Sequence, residues 1–176
     1  FEGSKYYVSN SSDTWTNANS ICASLGGHLV IISSDEENEQ VLSFALQVDN
    51  QDVFIGLYQN TNSGNYSEPD GGWEWVYSDS PDYWNWSYNE PSNGNCSNSN
   101  NCDTYGTLFT NNNYYSGYWN DVSEEYESYY ILEIDCQQGC SDSDEINIVF
   151  NICGCTDSTA CNYNSSAVED DNSCEY

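Results

Sequence analysis

Apolar and polar positions change period several times along this chain, and each change marks an element. Residues 3–9, centred on Tyr6-Tyr7-Val8, read as a first strand. Asp13 or Thr14 can cap a helix in which Trp15, Ala18, Cys22 and Leu25 recur at helical spacing, closed by Gly26-Gly27. Leu29 to Ile32 is a short apolar strand. Ser34-x-x-Glu37 forms a capping box that opens a second helix, with Val41, Phe44, Ala45 and Val48 on its buried face. Phe54-Ile55-Gly56-Leu57 and Trp73-Glu74-Trp75-Val76 are strands, as are Tyr118-Trp119 and Tyr129 to Ile134, the last ending at Cys136. Between about 77 and 120 the chain is mostly turn formers and aromatics. A loop of that length in a compact domain is functional or pinned, and Cys96 with Cys102 could pin it locally. Two helices with antiparallel strands make an α+β domain over residues 1–136, and a Cys- and Asp-rich module follows over 137–176.

Charge narrows the partners. The formal net charge is −28, with 29 acids and Lys5 as the one Lys or Arg. Nothing here can neutralise phosphates, so nucleic acid is excluded and an anionic membrane surface repels the chain. Self-repulsion strains the compact state, and bound divalent cations or a saline medium relieve it. Six Trp, sixteen Tyr and five Phe nonetheless argue for a packed fold. No apolar run is long enough to insert into a membrane. Phe1 is expected to begin a mature or trimmed chain.

Nine cysteines with one histidine and no paired C-x₂-C knuckles indicate disulfides in an oxidising, extracellular setting, secreted or at a cell surface. The odd count leaves one thiol free or shared with another chain. Asn10, Asn65, Asn85, Asn95 and Asn164 each open a glycosylation sequon.

Two short signatures carry the candidate chemistry. Glu90-Pro91-Ser92 follows the aromatic run Tyr83-Trp84-Asn85-Trp86, and Trp119-Asn120-Asp121 follows Gly117-Tyr118. Both offer carboxylate, amide and hydroxyl oxygens with no basic residue to pair with them. Ca²⁺ takes about six to eight such oxygens in irregular geometry, and an aromatic frame beside it suits a sugar. A lone His28, best read as structural beside its glycine turn, and the lack of a nucleophile–base set leave no players for an enzyme.

The ordered set Gly26-Gly27-His28-Leu29-Val30, Phe54-Ile55-Gly56-Leu57, Trp73-x-Trp75, Trp84-Asn85-Trp86, Glu90-Pro91-Ser92 and Trp119-Asn120-Asp121 resembles the C-type lectin-like domain. The resemblance implies a long calcium-binding loop region in which Glu90, Asn120 and Asp121 are ligands. It also implies that Asp103 replaces a glutamate of the family and that Ser92 stands where asparagine is usual. Glu before Pro is similar to readers of mannose, fucose or glucose, and a cis bond before Pro91 is expected. Glu68, Asp70 and Asp103 are candidates for a second calcium site, and Cys22 with Cys136 matches the family's long-range disulfide.

The tail from Gly154 to Tyr176 resembles a short Cys/Asp repeat of secreted marine microbial proteins and needs disulfides among Cys140, Cys153, Cys155, Cys161 and Cys174. The function expected is calcium-dependent carbohydrate binding in adhesion or recognition. One alternative is a structural subunit of an extracellular filament or matrix, self-associating through the C-terminal module and its alternating run Ile146 to Ile152. A minor alternative is ice binding, as in the lectin-like antifreeze proteins.

Overall fold

The computed structural model describes residues 4–47, 51–77, 81–92, 102–110, 114–135, 157–160 and 174. The chain divides into two compact units, Phe1–Cys140 and Ser141–Tyr176. The first carries β1 (Ser4–Val8), β2 (Asp13–Thr14), α1 (Trp15–Ser24), β3 (His28–Leu29), α2 (Asp35–Ala45) and β4 (Val53–Gln59). It continues with β5 (Trp73–Trp75), β6 (Asp103–Leu108), β7 (Trp119–Ser123) and β8 (Glu127–Asp135). The main path of the sheet runs β1-β8-β4-β6-β7, with β2 and β3 also on β8 and β5 on β4.

This sheet is mixed, which corrects the expectation of antiparallel strands alone. β4 and β8 run parallel, with Val53 opposite Tyr129 and Phe54 opposite Tyr130, while the other pairs are antiparallel. β4 sits mid-sheet, and its run Val53, Phe54, Ile55 and Leu57 is fully buried, as a strand covered on both faces must be. A second correction is β6, which falls inside the segment expected to be irregular. Its Thr-Tyr-Gly-Thr-Leu sequence is strand-forming, and Gly106 is required there because a Cβ would stand 2.8 Å from Leu57 Cβ.

Helix α1 buries Trp15, Ala18 and Cys22, as its spacing predicts. Its N-terminus lacks a side-chain cap from Thr14, while Asp13 Oδ1 accepts from Thr14 N and Asn17 Nδ2. Helix α2 is capped by Ser34, whose Oγ accepts from Glu37 N at 3.2 Å. Glu37 does not return to the Ser34 amide, however. Its Oε2 accepts from Ser33 N at 2.8 Å and Ser33 Oγ, and its Oε1 from Tyr6 OH at 2.7 Å. The buried face of α2 is therefore partly polar: Glu37 and Asn38 lie beside Val41 and Ala45, with Phe44 packed at the margin. Val48 lies outside the described residues.

Cys22 carries a buried thiol with no disulfide among the described residues, and its expected partner Cys136 lies outside them. Burial pushes the Cys22 thiol up to about 12. Cys102 is disulfide-bonded, while Cys96 and Cys136 lie outside the described residues.

Of the second unit, Asp157 to Ala160 form a turn in which Asp157 Oδ1 accepts from Thr159 N and Thr159 Oγ1, and Cys174 is disulfide-bonded. The other tail cysteines and the run 146–152 lie outside the described residues. Among the described residues no helix is long and apolar enough to cross a membrane.

Candidate functional site

The site grows from an aromatic floor. Trp119 is fully buried at the start of β7, and rings converge on it: Trp75 at 5.3 Å, Tyr83 at 5.6 Å and Trp86 at 6.1 Å, all close to edge-on. Such edge-to-face packing fixes orientation as well as burying area. Trp119 Nε1 donates to Asn38 Oδ1 at 2.8 Å, and Asn38 Nδ2 donates to the carbonyl of Gly117. Asn85 Nδ2 donates to that same carbonyl at 2.9 Å. The half-buried Asn85 amide is thus committed to the fold, whereas the sequon residues Asn10 and Asn65 are exposed.

On this floor the segment 85–92 lies along β7. Trp119 N donates to Asn85 O, Ser87 N donates to Trp119 O, and Glu90 N closes a turn onto Ser87 O. Asn89 takes the left-handed conformation, φ 64°, and the Glu90–Pro91 bond is cis, as is Glu68–Pro69. Ser92 N then donates to both carboxylate oxygens of Asp121, at 3.1 and 3.2 Å.

The structure therefore brings the loop residues to the strand residues. Asp121 is 4 % and Asp103 7 % exposed, Asn120 and Glu90 are half-buried, and Ser92 is exposed. Asn120 Nδ2 donates to the Asp121 carbonyl, which holds the amide alongside it. Asp103 enters from β6, beside β7. Burial raises the Glu90 carboxyl above its ordinary value, and the Asp121 and Asp103 carboxylates raise it further, against a hydrogen bond from Ser92. Glu90 Oε2 is buried without a hydrogen-bond partner among the described residues. A buried carboxylate oxygen without a partner, with two further carboxylates acting on it electrostatically, is what a hard cation would satisfy. Every donor is oxygen, which fits Ca²⁺ rather than a thiolate- or imidazole-seeking metal.

A groove of about 380 Å³ adjoins Glu90 and Pro91 and is lined also by Trp73, Trp84, Trp86 and Asp70. Trp84 is exposed there, while Trp73 and Trp86 meet edge-on with ring centroids 4.8 Å apart. The second-site candidates are less convergent. Asp70 shares the groove with Glu90, Asp103 belongs with Asp121, and Glu68 is engaged by Gln59 Nε2 at 3.1 Å and by the Tyr66 hydroxyl. The supporting role of Asn38 was not visible in the sequence. Its only signal is an amide at a position where the α2 pattern asks for an apolar residue.

The chain's residues 11–134 match the lectin C-type domain family. It is 31 % identical to the hepatic lectin of Gallus gallus over 137 residues, covering 76 % of this chain and 56 % of that protein. It is 33 % identical over 97 residues to asialoglycoprotein receptor 2 of Mus musculus, covering 53 % of this chain and 28 % of that protein. The chain thus spans little more than half the length of the first and under a third of the second. Among solved structures it is similar to the carbohydrate-recognition domain of the human scavenger receptor C-type lectin. That match has a TM-score of 0.62 and 27 % identity, over 77 % of this chain and 93 % of that one. Human lithostathine, at 21 % identity and a TM-score of 0.63 over 77 % of this chain and 94 % of that one, shares the fold.

Proposed function

The chain belongs to the C-type lectin domain family, and from that membership we propose that it is a calcium-dependent carbohydrate-binding module acting outside the cell in recognition or adhesion. The observation that carries the calcium reading is Glu90 Oε2, buried without a hydrogen-bond partner among the described residues and acted on by two further carboxylates. Glu90, Ser92, Asp103, Asn120 and Asp121 would hold the ion, and Ca²⁺ bound there supplies open coordination positions to vicinal sugar hydroxyls. The protein's own part is to keep those oxygens together and to accept or donate hydrogen bonds at the sugar's edge. Trp84 and Trp86 offer apolar faces to the C–H side of a sugar ring along the groove. Glu before Pro91 supports a mannose-, fucose- or glucose-type ligand.

Calorimetric titration with calcium, followed by a glycan array with and without chelator, tests this reading. The expected result is one loop site filled at millimolar calcium or below, with glycan binding that vanishes on chelation. Glycan binding indifferent to chelator would defeat the calcium mechanism, and no calcium uptake together with no glycan binding would defeat the whole reading.

A further inference from the structure

A different set of side chains converges on β8, away from the loop residues above. β3 pairs with β8 so that His28 stands directly opposite Glu133. Asp135, two residues beyond Glu133, projects from the same face of the strand. His28 is 7 % and Glu133 5 % exposed, while Asp135 opens to solvent. Ligand-type atoms of the three, one from each residue, all lie within 4.8 Å of one another.

Each of the three is oriented by a second contact. His28 Nδ1 lies 2.9 Å from the Leu29 carbonyl, and since a carbonyl only accepts, Nδ1 carries the hydrogen. The other ring nitrogen, Nε2, faces Asp135 Oδ2 at 3.4 Å. The other oxygen of Asp135 accepts from Ser4 Oγ at 3.1 Å, and Glu133 Oε2 accepts from Ile31 N at 3.0 Å. Glu133 Oε2 is 3.8 Å from His28 Nδ1, too far for a hydrogen bond. Two ligands bound to zinc at about 2.0–2.2 Å in a tetrahedron stand roughly 3.4 Å apart. An imidazole whose far nitrogen donates to a backbone carbonyl, beside carboxylates that are themselves hydrogen-bonded, is how proteins preset a metal ligand. Lys5, the one Lys or Arg of the chain, pairs in register with Ile134 and so belongs to the alternate face.

We propose that His28, Glu133 and Asp135 form a site for a divalent transition metal of the zinc class, with a solvent-facing position open on the Asp135 side. The imidazole distinguishes it from a calcium site, because borderline metals favour nitrogen and calcium does not. The test is calorimetric titration of the full chain with Zn²⁺ in saturating calcium, with Co²⁺ absorption as a second probe. One equivalent should bind, and Asp135→Asn and His28→Gln should each weaken it by at least about ten-fold, the lower range for loss even of a supporting residue. Asp135→Asn should melt like the parent in chelator, since that side chain is exposed, while Asp121→Asn should leave zinc binding unchanged. A parent chain that takes up no zinc overturns the proposal. So does affinity unaltered in Asp135→Asn, or a Co²⁺ spectrum carrying a thiolate charge-transfer band.

Discussion

At Glu90 the Asp121 and Asp103 carboxylates add to the cost of burial, and it falls on a carboxyl with one oxygen that lacks a partner among the described residues. Asp121→Asn removes a ligand charge yet keeps one oxygen for the Ser92 amide. Calcium affinity should therefore fall by at least about ten-fold, while melting in chelator holds or rises. Calorimetry and a thermal melt check both halves. The pH dependence has a definite sign. Glu90's carboxyl is raised by burial and its acidic neighbours, so folding favours its protonated form. That contribution is fully present below the ordinary value of 4.5 and is lost as pH rises through the higher, folded-state value. Metal-free protein should melt progressively lower across that window, and Glu90→Gln should flatten the decline. These oxygen donors were legible in the sequence, because acids and amides without a basic neighbour imply a cation. The zinc-class set was not, because His28 and Glu133 meet only through strand register. Its faint signal was Glu-x-Asp placed at alternate positions of an otherwise apolar strand.

Strand β7 holds the site because Trp119 anchors it, and Asn38 of α2 holds Trp119. Asn38→Ala leaves a buried indole N–H and the Gly117 carbonyl each one partner short. The expected loss is roughly 2–4 kcal/mol in chemical denaturation, with weaker calcium binding as β7 loosens. Gly106→Ala should cost about 1–3 kcal/mol by forcing β6 away from Leu57, moving the strand that presents Asp103 and pairs with Asp121. Both helices and most strands could be read from period and caps. β6 could not, because Asn and Ser crowd the residues before it and Gly106 interrupts its pattern. The parallel β4–β8 seam was also hidden, since nothing local in either strand reports which neighbour it meets.

Over the whole chain, 29 acids face one Lys or Arg, and burial raises Asp52 and Glu133 as it does Glu90. All three contributions have the same sign, so in chelator the melting temperature should climb as pH falls from neutrality toward their ordinary values. It should climb with added salt as well, which screens the remaining repulsion. A melting series at fixed pH and rising ionic strength separates the two effects.

The sulfhydryl of Cys22 offers one more use. Sealed against water and hard to ionise, it has no route to an alkylating reagent while the domain stays shut. A pulse of iodoacetamide read by peptide mass spectrometry would therefore clock how often the hydrophobic interior opens. Slower labelling in the presence of each metal would report separately how far that ion keeps the domain closed.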